Sequence, residues 1–160
     1  MSSTEKIEVI RIDEVNYLLL SALLEWRRTG KKSSDPSFYD DKKMIEFFRE
    51  FNILNSDMFY IFAAKQGNSL AGYINAVLIP KPDPRRGLLF VDELWVPEIY
   101  RNRGIASKLM DEVFRVAREL DLWRVRLYVG SDNHAAREFY KKAGFVEKGD
   151  SIFCEWDVTR

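Results

Sequence analysis

The period of apolar and polar positions changes several times along this chain, and each change marks an element. Glu8-Val9-Ile10-Arg11-Ile12 reads as a short first strand. Val15, Leu18, Leu19, Ala22, Leu23 and Trp26 then recur at helical spacing, which predicts a helix capped by Asp13 and running to about Arg28. Thr29-Gly30-Lys31-Lys32-Ser33-Ser34-Asp35-Pro36 has the composition of a loop. A second helix is predicted over 41–51, with Met44, Ile45, Phe47, Phe48 and Phe51 as its apolar residues. Strands over 58–64 and 70–79 flank the tight turn Gln66-Gly67-Asn68-Ser69 and form a hairpin. The stretch from Pro80 to Gly87 holds three prolines and reads as a stiff surface loop.

An apolar strand over 88–96 then enters a turn marked by Pro97. The turn passes through Arg101-Asn102-Arg103-Gly104-Ile105-Ala106 into a long amphipathic helix ending near Leu120. A strand over 123–129 follows, then a helix over 133–143 that Asp132 or Asn133 caps, with Gly144 at its left-handed C-terminal position. Phe145-Val146-Glu147 and residues 151–158 are predicted as the last strands. In the second of these Ile152, Cys154, Trp156 and Val158 share an apolar face, so Cys154 is expected to be buried. The order β-α-α-β-β-β-α-β-α-β-β predicts one mixed α/β domain over 1–160, with antiparallel early strands rather than a series of βαβ units.

Composition narrows the class. Twenty-five basic and 25 acidic residues cancel, which argues against nucleic-acid binding driven by bulk charge. One Cys excludes an internal disulfide, and one His leaves a metal site to carboxylates alone, so no metal is expected. The N-terminus is polar, and no apolar run approaches about 18 residues. The expectation is a cytoplasmic protein without a membrane partner.

The chemistry begins at the loop before the long helix. A strand that delivers small residues to a helix N-terminus can hold phosphate, because the first-turn N–H groups are free and carry partial positive charge. Gly104 and Ala106 permit close approach, and Arg101 and Arg103 add charged donors. The sequence has no G-x-x-x-x-G-K-[ST] and no G-x-G-x-x-G, which argues against a P-loop or a dinucleotide site. It has Arg101-x-x-Gly104-x-Ala106 after Leu94-Trp95-Val96-Pro97, then Asn133-x-x-Ala136-x-x-Phe139-Tyr140-x-x-x-Gly144-Phe145. Together these resemble the GCN5-related N-acetyltransferase (GNAT) superfamily, through its pyrophosphate loop R/Q-x-x-G-x-G/A and its N-x-x-A-x-x-[FL]-Y-x-x-x-G-F segment.

The resemblance implies a largely antiparallel central sheet flanked by helices, with a V-shaped splay between two parallel strands, here 88–96 and 123–129. It implies acetyl-CoA as cosubstrate in that splay. The backbone of Leu94, Trp95 and Val96 would pair with the pantetheine arm. The amides of Asn102, Arg103, Gly104, Ile105, Ala106 and Ser107 would hold the pyrophosphate, with Arg101 beside them. Asn133 would reach the pantetheine or its phosphates, Ala136 would leave room for the arm, and Tyr140 would sit beside the sulfur.

Acyl-transfer chemistry suits these assignments. A phenol of pKa about 10 stays protonated near neutrality and can donate to a leaving thiolate of pKa about 8.5. The incoming amine is cationic and must lose a proton. Asp92 and Glu93 are the candidate acceptors, pointing to opposite faces of an extended strand unless a bulge intervenes. Resemblance to polyamine acetyltransferases, whose base matches the first of the pair, favours Asp92. His134, in the first turn of its helix, reads as exposed.

The acceptor is expected to be a primary amine of a small molecule or peptide, acetylated by direct attack in a ternary complex. The alternative is a non-catalytic acetyl-CoA sensor or interaction domain. The run Trp26-Arg27-Arg28-Thr29-Gly30-Lys31-Lys32 is basic and departs from the polyamine branch, so it suits an acceptor bearing a carboxylate or phosphate. Cationic aminoglycosides fit less well, although Asp35, Asp40 and Asp41 are available to them. Trp26, Phe38 and Tyr39 either pack the fold or line the acceptor pocket. Family members commonly dimerise, and the resemblance admits a homodimer.

Overall fold

The computed structural model describes residues 6–32, 42–150, 152–156 and 158. Asp35, Phe38, Tyr39, Asp40 and Asp41, each singled out in the sequence, lie outside the described residues. The chain divides into two compact units, Met1–Tyr128 and Val129–Arg160.

The first unit is built on five strands in the order of the chain: β1 (Ile7–Arg11), β2 (Phe59–Gln66), β3 (Ser69–Pro80), β4 (Gly87–Trp95) and β5 (Arg124–Leu127). The first four pair antiparallel, and β4 pairs with β5 in parallel. Helices α1 (Tyr17–Thr29) and α2 (Lys42–Glu50) come between β1 and β2, and α3 (Ile105–Glu119) makes the crossover from β4 to β5. This is the mixed sheet that the element order predicts.

Both faces of the sheet are covered, which explains why β2 is buried without a break from Tyr60 to Ala64. On one face Leu20, Leu23 and Trp26 of α1 and Ile45 and Phe48 of α2 pack with Ile61, Ala63 and Tyr73. Alternate residues point the other way, toward α3, which packs on β1 to β4. The buried stripe of α3, comprising Ile105, Leu109, Met110, Val113, Val116 and Ala117, keeps helical period. Each large side chain it buries contributes roughly 1.5–3 kcal/mol.

Helix α1 starts later than its apolar spacing suggests. Asp13 accepts from the amides of Val15 (2.8 Å) and Asn16 (3.1 Å), and Asn16 Oδ1 accepts from the Asp13 amide (2.9 Å). This local turn competes successfully with helix, so Asn16 rather than Asp13 occupies the cap position and Val15 is exposed.

In the second unit, Asn133 Oδ1 caps α4 (His134–Lys142) by accepting from the Ala136 amide at 3.1 Å, and Gly144 has φ 94°. The strands predicted beyond α4 are absent among the described residues. The Phe145 amide instead donates to the Tyr140 carbonyl at 2.9 Å, extending the helix C-terminus. Arg137 grips Glu147 through Nε at 2.7 Å and Nη2 at 2.9 Å. Alternation between 152 and 158 marks an apolar face but does not supply the partner strand it needs, and the described residues there form no strand. Ile152 and Trp156 are exposed, and so is Cys154, against the expectation of burial.

Gly72 lets β3 pack closely against β4. At Gly72, φ is 153°, and a Cβ there would lie 2.7 Å from the Trp95 carbonyl oxygen of β4. Gly72→Ala is expected to lower the unfolding free energy by more than about 1 kcal/mol, read from urea denaturation. A variant as stable as the parent would contradict this packing.

Candidate active site

β4 is held differently on its two edges. It stays paired with β3 up to Tyr73↔Trp95, whereas its pairing with β5 stops at Val91↔Leu127. Residues 93–95 therefore have a bound edge toward β3 and, among the described residues, an edge without a β5 partner. The register also slips here: Asn75 faces Glu93 while Ala76 faces Val91, which leaves Asp92 as the extra residue of a β-bulge. The bulge removes the strict alternation that would send Asp92 and Glu93 to opposite faces.

Asp92 is exposed and Glu93 half-buried. Glu93 accepts a hydrogen bond from the Tyr73 hydroxyl and forms an ion pair with Arg27 of α1. Burial first, and then the bond to Glu93, pushes the Tyr73 phenol well above its ordinary range. Asn75, the cross-strand partner of Glu93, has its Oδ1 buried and without a hydrogen-bond partner among the described residues.

Around this pair lies an aromatic cluster. The Trp26 ring stands edge-on to Trp95 at 5.7 Å and to Tyr100 at 6.3 Å, and Tyr73 lies 5.9 Å from Trp95. Lys32 Nζ lies 5.4 Å from the centroids of Trp26 and Tyr100 and 3.3 Å from the Tyr100 hydroxyl. Burial alone would raise the Tyr100 phenol. Hydrogen bonds with Ser69 and Lys32, and the charges of Lys32 and Arg103, outweigh that and bring it below its ordinary value.

After Trp95 the chain passes Val96 and buried Pro97, makes a 3₁₀ turn (Glu98–Tyr100), and enters the loop. Arg101 Nε donates to the Val96 carbonyl at 3.1 Å, closing the turn and occupying that acceptor. Arg103 folds back over the Tyr100 ring at 5.3 Å and donates to Gln66 Oε1 at 3.2 Å. Asn102 (φ 59°) and Gly104 (φ 80°) are both left-handed, and a Cβ at Gly104 would meet nothing within 4 Å. Gly104 stands at the N-cap of α3 with no side chain capping the first turn. Ile105 is buried, so only its backbone is available, while Ala106 is half-buried and Ser107 exposed.

The other predicted residues lie in the second unit. Tyr140 is half-buried, with Phe139 at 5.2 Å and Phe145 at 5.6 Å, and burial raises its phenol above the ordinary value. Asn133 uses its side-chain oxygen as the helix cap, Ala136 is half-buried, and His134 is exposed. Sequence reasoning missed Tyr73 and Asn75, whose signal was two polar-tipped residues at inward positions of an otherwise apolar strand. It also missed the direct pairing of Arg27 with Glu93.

Known proteins share this fold. A family model for the acetyltransferase (GNAT) family matches residues 20–145. The chain belongs to that family. Among curated relatives, human N-acetyltransferase 8 is 30% identical over 95 residues, which is 59% of this chain and 42% of that protein. An uncharacterized N-acetyltransferase of Methanocaldococcus jannaschii is 36% identical over 64 residues, 40% of this chain and 28% of the relative. The chain thus spans less than half the length of the curated relatives it matches.

Among solved structures, an aminoglycoside acetyltransferase from an uncultured soil metagenomic sample, in complex with trehalose, superposes with TM-score 0.76 at 16% identity. That match covers 96% of this chain and 97% of the other. The aminoglycoside acetyltransferase AAC(6')-Iy, bound to a bisubstrate analogue containing CoA, gives TM-score 0.74 at 17% identity, covering 96% and 99%. At such identities the likeness is one of fold.

The Tyr73–Glu93 contact makes a stability claim. Tyr73→Phe is expected to cost about 1.5–3 kcal/mol, the range for a hydrogen bond to a charged group, by urea denaturation at neutral pH. The raised phenol leaves the stability it contributes unchanged below about pH 10, where unfolded tyrosine stays protonated, and removes it as pH rises further. The parent should therefore lose stability more steeply than Tyr73→Phe in alkali. Equal slopes would contradict the assignment.

Proposed function

We propose that the chain is an acetyl-CoA-dependent N-acetyltransferase acting on a primary amine of a small molecule or peptide, by direct attack in a ternary complex. The observation that supports this reading most is the freed edge of β4 at residues 92–95, which the chain carries through one 3₁₀ turn and a short loop into the uncapped first turn of α3. Coenzyme A fits both. Its pantetheine arm is an amide chain that can add to a strand edge as a peptide does. Its pyrophosphate suits a helix N-terminus with open space over Gly104.

On this reading the backbone of Leu94 and Trp95 and the amide of Val96 hold the arm. The amides from Asn102 to Ser107 hold the pyrophosphate. Because Arg101 and Arg103 are engaged with Val96, Gln66 and Tyr100, their part there is support of the loop and long-range attraction of negative charge. Asn133 and Ala136 serve the arm, as the family motif implies.

When bound, the thioester supplies an acetyl carbonyl at which the amine nitrogen forms a C–N bond while the C–S bond breaks. Coenzyme A leaves as the thiol and one proton goes to solvent. A free backbone N–H on the β4 edge stabilises the developing oxyanion. Glu93 attracts the ammonium, and exposed Asp92, freed by the bulge, passes its proton to water. A direct transfer is unfavourable, since carboxylates as a class are far weaker bases than alkylamines. Tyr140 donates to the departing sulfur, and its raised pKa keeps it protonated for that step. Holding both reactants together supplies much of the acceleration.

Tyr140→Phe should lower kcat about a hundredfold with little change in acetyl-CoA affinity, followed by thiol release and calorimetry. The loss should shrink with thioesters whose thiols leave more readily. A mutant as fast as the parent removes Tyr140 from the acid's role. Tight acetyl-CoA binding by the parent with no thiol release on any amine overturns the transferase reading.

A further inference from the structure

The acceptor side of the site carries a charge pattern that selects among amines. Glu93 lies against Arg27, and their side chains are 23% and 48% exposed, so both ends of the ion pair are open to a ligand. The buried Oδ1 of Asn75, across the strand from Glu93, lacks a donor among the described residues. Lys32 and Arg103 add two further positive charges over the Tyr100 ring. Arg28 is excluded from this count, since Glu25 holds it at 2.6 Å and 2.9 Å.

We propose that the acceptor is a zwitterionic amine, an α-amino acid with a free carboxylate, its ammonium on Glu93 and Asn75 and its carboxylate on Arg27. The proposal rests on the transferase reading above.

An adjacent carboxylate and guanidinium form the charge complement of an α-amino acid, whose ammonium and carboxylate are separated by one carbon. Asn75 supplies the acceptor that a second ammonium proton needs; left unpaired, that buried oxygen carries a desolvation cost. Arg27 presents further N–H groups beyond the one at Glu93, in the planar fork that matches a carboxylate. A polyamine or aminoglycoside would bring added positive charge toward Lys32, Arg27 and Arg103, and repulsion there counts against it. An amine whose α-carboxylate is capped as an amide, as at a peptide N-terminus, leaves Arg27 without its partner. The rings of Trp26, Trp95 and Tyr100 offer an apolar wall beside the charges, so an aromatic amino acid is the probe of choice.

The reaction is the one already written, with nitrogen of the amino acid forming the amide, coenzyme A leaving as the thiol and one proton released.

The test measures thiol release by the full chain with acetyl-CoA and L-phenylalanine, L-phenylalaninamide, phenethylamine or spermidine. L-Phenylalanine should exceed each of the other three in kcat/KM by about tenfold to a hundredfold, the range set by a hydrogen-bonded charge pair. In Arg27→Met the preference for phenylalanine over phenylalaninamide should collapse toward unity, chiefly through KM for the acid. The Arg27 side chain is about half exposed, and unchanged urea denaturation verifies folding. Lys32→Met should weaken the same preference less.

Turnover of phenylalaninamide, phenethylamine or spermidine equal to or faster than that of phenylalanine overturns the proposal and leaves the transferase reading standing. A preference that survives Arg27→Met overturns it too. Binding of acetyl-CoA with no thiol release on any amine overturns both.

Discussion

The structure depends on a strand that is anchored on one edge and released on the other. β4 gains its position from β3, which stays paired to it as far as Trp95, and from Gly72, whose missing side chain lets the Trp95 carbonyl approach. On the opposite edge β5 supplies partners only as far as Val91. A strand end with unpaired backbone is normally a liability, because it invites pairing with any extended chain. Here the liability is confined to a few residues, and a 3₁₀ turn and a short loop then lead the chain to the N-terminus of α3. Two sources of N–H groups free of partners within the sheet and helix thus lie along one stretch, and on the proposed reading a ligand with an amide chain and a phosphate group would satisfy both.

The same strand organises the other face. A bulge at Asp92 shifts the register, and Glu93 then stands across from Asn75 and within reach of Tyr73 and Arg27. Helix α1 is fixed by Leu20, Leu23 and Trp26 in the core, so Arg27, the next residue after Trp26, is delivered to the rim of the site. Core packing and the Arg27–Glu93 ion pair are therefore neighbours in sequence as well as in space. The aromatic wall follows from the same economy, since Trp26 and Trp95 pack the core with one edge and face Lys32 or Tyr73 with another.

Much of this was legible in the sequence because the relevant signals are local. The apolar runs of β2 and β3, the helical stripe of α3 and the left-handed need at Gly144 each depend on a few adjacent residues. The turn at Asp13 was less legible, since Asp13 and Asn16 both favour caps and only their mutual hydrogen bonds decide which one serves. The C-terminal strands are absent among the described residues because alternation reports a face without supplying the partner that must cover it, and Arg137 draws Glu147 onto α4 instead. The bulge was invisible because register is a property of two strands. So was the Arg27–Glu93 pair, which joins residues 66 positions apart through the packing of α1 on the sheet.

Amide hydrogen exchange with and without acetyl-CoA tests the central claim most directly, because it reads the backbone groups that the account assigns. Adding acetyl-CoA should slow exchange at residues 94–96 and 102–107, and leave the paired amides of β1 and β2 as they were. Protection that spares those two segments, or that appears elsewhere in their place, would contradict the claim that the freed edge of β4 and the first turn of α3 hold the coenzyme.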